Sequence, residues 1–202
     1  MDRYPLIVSK VMSTPWLITE EGMQAILSIL NRRLEGEVLT KEEIRLALGE
    51  SAGRERRSYS SSHRNVGVIS LEGPMFPRAN LFTDLSGATS VEQAQAEFAT
   101  MLADDSIDSI LLSFDSPGGS SEGIAEFSQD IFDARQSGKR IVSIANMAAN
   151  SAAYHLASQA HEMYATPSGQ LGSIGVIMAT EDDTRQLESR GIDRTVITAG
   201  RL

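Results

Sequence analysis

The amino-acid sequence predicts an α/β fold, with helices covering a mainly parallel sheet and a small helical N-terminal extension in front of it. Three observations predict this. After residue 65, short apolar strand patterns alternate with amphipathic helical ones, the order that builds parallel sheets by crossover helices. Residues 1–50 instead carry helical spacing and helix caps. Residues 51–65 between them are polar, basic and serine-rich, which marks a linker. The expected organisation is therefore 1–50 extension, 51–65 linker and 66–202 α/β domain.

Within the extension, Pro15-Trp16-Leu17-Ile18 leads into Thr19-Glu20-Glu21, which opens a helix with acids in its first turn. Met23, Ile26, Leu27 and Leu30 follow at helical spacing. Thr40 and Glu43 form a capping-box pattern ahead of Ile44, Leu46 and Leu48. This pair is too small to stand alone and should dock on its own body or on a neighbour. In the linker, Arg54, Arg56 and Arg57 could touch an acidic partner or simply be solvated.

Val66-Gly67-Val68-Ile69-Ser70-Leu71 is the first strand of the α/β part. A helix starts at Ser90 and carries Val91, Ala94, Phe98 and Met101 on one face. The run from Ile107 to Phe114 is a buried strand, and the next helix, over 121–136, presents Ile124, Phe127, Ile131 and Phe132. Ile141-Val142-Ser143-Ile144 centres a third strand, followed by a helix over 151–159. Short strands over 162–165 and 173–178, a helix over 181–189 and a strand over 194–198 complete the prediction.

Composition excludes several function classes. The 202 residues hold 18 Lys+Arg against 27 Asp+Glu, a formal charge of −9. That balance opposes a sequence-independent grip on nucleic acid, which needs clustered cations. There is no cysteine, so disulfides, thiolate metal sites and cysteine nucleophiles are out. No run approaches the roughly 20 apolar residues of a membrane span, and the N-terminus lacks a signal-peptide pattern, so a cytoplasmic protein is expected. No two-histidine motif with an accompanying carboxylate occurs, so neither metal nor cofactor is expected.

Two junctions could carry chemistry. Asp115-Ser116-Pro117-Gly118-Gly119-Ser120 follows a buried strand and precedes a helix. Its glycines allow close approach of backbone N–H groups to an anion, or merely make a tight turn. Ala145-Asn146-Met147-Ala148-Ala149-Asn150-Ser151-Ala152-Ala153-Tyr154 also links strand to helix. Ser151 there is either an exposed nucleophile with the Ala152 amide beside it or a helix cap. In a parallel sheet both junctions fall at the carboxyl edge, where active sites form. A carbonyl attacked by Ser151 could then be held by Gly118 or Gly119.

These segments, followed by Ala-Thr-Pro-Ser-Gly-Gln-Leu-Gly-Ser-Ile-Gly-Val over 165–176, resemble the signal peptide peptidase A/protease IV family of serine peptidases, which has the Clp protease/crotonase fold. The nearer likeness is to the capsid-assembly (prohead) proteases of tailed phages, of the lambda type. A helix over 5–30 and the Arg- and Ser-rich linker resemble that branch as well. The resemblance implies Ser151 as nucleophile, backbone amides of Gly118, Gly119 and Ala152 as oxyanion hole, and residues 170–177 lining the site. It also implies a Ser/Lys dyad, since a desolvated lysine can accept the serine proton near neutral pH. No cofactor is implied. The implied partners are protein substrates (scaffold, capsid or portal proteins) and further copies of the chain in a homo-oligomer. The implied setting is the host cytoplasm, inside the assembling prohead.

The chain departs from the family at the base. The family lysine follows a segment resembling Ile197-Thr198-Ala199-Gly200-Arg201-Leu202, whereas the lysines here are Lys10, Lys41 and Lys139. A truncated or processed chain with its base beyond Leu202, a substitute base such as His155, and an inactive relative are the three readings. Arg201 stays charged and cannot serve. His63 and His161 suggest no role. A signal-peptide peptidase and a non-catalytic capsid-assembly module are the rival functions.

Overall fold

The computed structural model describes residues 5–48, 60–63, 65–79 and 88–179, with 185, 189 and 191 singly. The first elements are α1 (Pro5–Ser13), β1 (Trp16–Ile18), α2 (Glu20–Leu34) and α3 (Lys41–Ala47). Then come β2 (Ser60–His63), β3 (Val66–Glu72), β4 (Met75–Phe76), β5 (Thr89–Ser90) and α4 (Val91–Ala103). The remainder is β6 (Ser109–Ser116), β7 (Gly118–Ser120), α5 (Ile124–Ala134), β8 (Arg140–Asn150), α6 (Ala152–Ala157), β9 (Glu162–Ala165) and β10 (Gln170–Gly172).

The α/β class with a mainly parallel sheet is as the sequence predicts. The larger sheet runs β10-β8-β6-β3-β2, with β9 also paired to β8. Every pairing in it is parallel except β2 with β3. Ile110, Leu112 and Phe114 of β6 are buried at every second position, the period of a pleated strand. α4 begins at Ser90, whose hydroxyl accepts the Gln93 N–H, and buries Val91, Ala94 and Phe98. Phe98 meets Phe127 of α5 edge to face at 5.8 Å. Fully burying each such side chain is worth about 1.5–3 kcal/mol, so these rings hold the helices on the sheet.

Several elements differ from expectation. The helix over 5–30 is interrupted: Pro15 and the stretch Trp16–Ile18 form β1 in a second sheet, ordered β1-β7-β4-β5. The linker expected through residue 65 ends early, because Ser60–His63 pairs antiparallel with β3. The helix over 121–136 is shorter because Gly123 (φ +81°) turns the chain just before Ile124. The third strand does not stop near Ala145. It bulges and continues to Asn150. Residues 173–178 are not a strand; β10 precedes them, and Ile177 makes a single bridge to Trp16. The helix over 181–189 and the strand over 194–198 lie largely or wholly outside the described residues, as do Arg54, Arg56 and Arg57.

The N-terminal elements dock on the chain's own body. Val11, Trp16, Ile18, Met23, Ile26 and Leu30 share a core with Phe76 and Ala88, and Ile177 packs against it. Trp16 stands edge-on to Phe76 at 5.9 Å. Both predicted caps form: Thr19 accepts from Gly22 N–H, and Thr40 and Glu43 close a capping box. Among the described residues no helix is long and apolar enough to cross a membrane.

Candidate active site

β8 delivers the candidate nucleophile through its bulge. Phe114 pairs with Ala145, but Ser116 pairs with Ala149, so β8 carries extra residues there. Asn146 and Met147 protrude into solvent. Thr166 Oγ1 donates to the Asn146 carbonyl (2.5 Å), and Thr166 N–H donates to Ala145 (3.1 Å). A bulge re-aims a strand. Here it turns Ala148–Asn150 onto β10, with Asn150 opposite Gly172.

Ser151 follows at φ +51°, ψ −111°, a backbone region that L-residues enter only at a cost of about 1–3 kcal/mol. Its N–H donates to Gly172 O at 2.7 Å, and its Oγ to Gly175 O at 3.4 Å. The side chain makes no capping hydrogen bond to α6. The residue is 5% exposed. Ala152, its neighbour, is the first helical residue, and its N–H has no partner inside the helix.

Gly118 brings the second junction to the first. It has φ +102°, and a Cβ built on it would lie 3.0 Å from Ser151 Cβ. That same point is 2.1 Å from Leu17 O and 3.0 Å from Ile18 Cα, so only glycine fits. Gly118 N–H donates to Ser116 Oγ (3.1 Å), whose hydroxyl in turn donates to Gly73 O (2.7 Å). Gly119 lies inside the second sheet, opposite Leu17 on one side and Met75 on the other. Thr19 N–H donates to Pro117 O and Ser121 N–H to Pro15 O. These bonds bracket Leu17/Gly119 at two-residue spacing, which makes it a hydrogen-bonded antiparallel pair. The Gly119 amide therefore points at Leu17, and the Gly118 amide points away from it.

Among the described residues no lysine is bonded to Ser151. Lys10 pairs with Glu122 at 2.5 Å. Lys41 is exposed at the start of α3. Lys139 donates to the carbonyls of Met101 (3.2 Å) and Asp104, at the opposite end of β8. Eleven residues of strand, with one bulge, lie between it and Ser151, about 36 Å at roughly 3.3 Å per residue less what the bulge takes up.

Among the described residues no histidine ring is bonded to Ser151. His155 is exposed, one turn beyond Ser151. His161 accepts from Ile141 N–H through Nδ1 and faces Arg135 O through Nε2 at the far end of the sheet. Beside it, the Tyr164 hydroxyl and the Arg140 guanidinium hold the Glu162 carboxyl below the usual range. His63 has no described side chain. No group of three or more metal-ligating side chains occurs among the described residues.

Sequence reasoning missed β1 and Ser116. Trp16-Leu17-Ile18 is bulky and β-prone, which was the available signal, but three residues before a helix cap read as part of the helical zone. Ser116 carries no signal of its own, because its role depends on where Gly73 and Gly118 come to lie.

Residues 133–202 match the family model of Peptidase family S49. The chain is 31% identical over 178 residues to capsid assembly protease C of Escherichia phage lambda, covering 86% of this chain and 40% of that protein. It is 31% identical over 135 residues to the head-tail preconnector protein GP5 of Enterobacteria phage P21, covering 67% of this chain and 27% of that protein. The chain thus spans less than half the length of either relative. Two solved structures align partially. One is an enoyl-CoA hydratase/isomerase family member (TM-score 0.38, 13% identity, 52% of this chain and 45% of that one). The other is a probable enoyl-CoA hydratase from Mycobacterium thermoresistibile (TM-score 0.39, 14% identity, 56% and 51%).

Proposed function

Because this chain is a relative of Peptidase family S49 and of a phage capsid assembly protease, we propose that it is a serine endopeptidase acting on phage head proteins during capsid assembly. The carrying observation is Ser151 itself. It adopts a costly backbone conformation, makes no cap bond and lies against the glycine junction. A serine placed to cap a helix would not have the positive φ, and its hydroxyl would accept a helix N–H instead of donating to Gly175 O.

In this reading a neutral lysine takes the Ser151 Oγ proton as the oxygen bonds to the carbonyl carbon of the scissile peptide. The oxyanion that forms is met by the Ala152 and Gly118 amides. Gly118 first gives up Ser116, and Gly119 holds β7 in its sheet. As the tetrahedral intermediate collapses, the C–N bond breaks and the amine leaves with the lysine proton. Water then hydrolyses the serine ester by the same route. Lys10 and Lys139 are engaged elsewhere and Lys41 is exposed on α3, so the proposal assigns the base to none of the three.

The substrates we propose are scaffold, capsid or portal proteins, met inside the assembling prohead in the host cytoplasm. A homo-oligomer is part of the proposal. Leu171, Ile174, Val176 and Met178 stand 45–80% exposed just beyond Ser151, and clustered exposed apolar residues favour association. A non-catalytic assembly module is the second reading, favoured by the engagement of Lys10 and Lys139 away from Ser151.

The test extends the gene past codon 202 and co-expresses the phage's scaffold protein. Wild type should cleave the scaffold, and Ser151→Ala should not, with at least a ~10⁴-fold loss. Equal cleavage by both would remove the peptidase reading.

A further inference from the structure

Resting on that peptidase reading, we infer that β1 occupies the peptide-binding groove, and that an extended substrate with a bulky aliphatic residue beside the scissile bond must displace it. Two backbone walls flank Ser151. One is Gly118–Ser120. Met75 takes one of its edges and β1 takes the other. The second wall is the segment from Gly172 to Ile177, which holds the Ser151 N–H and Oγ. β1 lies between the two walls and bonds both. Leu17 pairs antiparallel with Gly119, while Trp16 and Ile177 exchange two N–H···O bonds of 2.8 Å. A peptide added to an exposed strand edge would make this same set of main-chain bonds.

The register places β1 at the reacting centre. One point, the position of a methyl on Gly118, touches Leu17 O, Ile18 Cα and Ser151 Cβ together. The Leu17–Ile18 peptide therefore abuts the nucleophile, and the nucleophile is 5% exposed beneath it. No external carbonyl reaches Ser151 while β1 is in place.

Side chains alternate along β1 as strand geometry requires. Leu17 packs against the main core, whereas Trp16 and Ile18 belong to the N-terminal core. Leu17, whose carbonyl lies at the Gly118–Ser151 contact, sends its side chain into the main core, and a leucine-like residue is what an incoming strand would have to supply there. The pairing of β1 with β7 is short, three residues, and the solvent-exposed Lys10–Glu122 ion pair adds little; the rest of its hold is the packing of Trp16 and Ile18 in the N-terminal core and the two Trp16–Ile177 bonds.

Trp16 is the sequence's one tryptophan and is 3% exposed, so its emission reports displacement. The experiment uses the 202-residue chain carrying Ser151→Ala. It is titrated with a synthetic peptide of residues 13–21 in which phenylalanine replaces tryptophan (W16F in the peptide only). We expect saturable binding with a red shift of Trp16 emission and increased acrylamide quenching. A second chain, also Leu17→Ala, should bind the peptide about tenfold more tightly, because the resident strand competes less well. Binding that leaves Trp16 shielded, no binding, or unchanged affinity in a folded Leu17→Ala chain each overturns the inference. Cleavage through Ser151 with Trp16 still shielded retains the peptidase and removes β1 as occupant. Displacement of Trp16 by the peptide supports the occupied groove even where Ser151→Ala leaves cleavage unchanged, and the peptidase reading then falls by itself.

Discussion

Gly118 opens β7 and Ser151 follows the end of β8, yet a methyl on the first would lie 3.0 Å from the Cβ of the second. The contact depends on φ +102° at Gly118 and +51° at Ser151. Gly118→Ala meets both the unfavourable φ and the Leu17 carbonyl at 2.1 Å. We expect a stability loss of about 1–3 kcal/mol in denaturant titration. Cleavage should fall at least ~10²-fold, since a displaced amide no longer meets the oxyanion. An alanine variant with wild-type stability and rate would refute the close-contact account.

Ser116 is buried, and its hydroxyl serves two backbone groups, Gly73 O and Gly118 N–H. Ser116→Ala orphans both. The expected cost is about 1–3 kcal/mol, read as a lower denaturation midpoint with unchanged m-value. Cysteine restores only a weak donor and acceptor, so Ser116→Cys should recover part of the loss at most.

The backbone at Ser151 makes a separate prediction about stability. Glycine enters φ > 0 freely, whereas alanine bears the same strain as serine. Ser151→Gly should therefore melt no lower than Ser151→Ala although it removes a buried methyl-sized group. Both should be inactive. Calorimetry of the pair decides it, and a glycine variant clearly less stable than the alanine one would mean the positive φ is not strained.

The βα order, the caps at Thr19, Thr40 and Ser90, and the strands bearing Ile110 and Ile141 were legible because each rests on local pattern. The meeting of Gly118 with Ser151 was legible only as two junctions sharing one sheet edge. What escaped was non-local. Trp16–Ile18 becomes a strand because Gly118–Ser120 offers a free edge. Ser60–His63 does so because β3 offers another. The bulge at Asn146 depends on Thr166, twenty residues later. None of these partners is visible from the residues that need them.

Lys139 gives a negative prediction that separates the readings of the base. Its ammonium is bonded to Met101 and Asp104 carbonyls, remote from Ser151. Lys139→Met should lower stability modestly and leave Ser151-dependent cleavage within about twofold of wild type. A loss approaching that of Ser151→Ala would make Lys139 the base and would require a different placement of β8.

The capping box of α3 makes stability depend on pH in one direction. The Thr40 backbone N–H first, then its hydroxyl, hold the Glu43 carboxyl below its ordinary range, with Arg32 adding attraction. A group with a depressed folded pKa stabilises fully above its unfolded pKa and loses that contribution as pH falls through the folded value. α3 should therefore hold its amide protection at neutral pH and fray under acid conditions, below the usual glutamate range. Ile44 anchors α3 on Ile29 and Leu39, so the effect stays local. Glutamine at position 43 keeps an acceptor for Thr40 but does not titrate. Hydrogen exchange of residues 43–48 should accordingly show an acid transition in wild type that is absent in Glu43→Gln. The same transition in both chains would place its origin in another carboxylate.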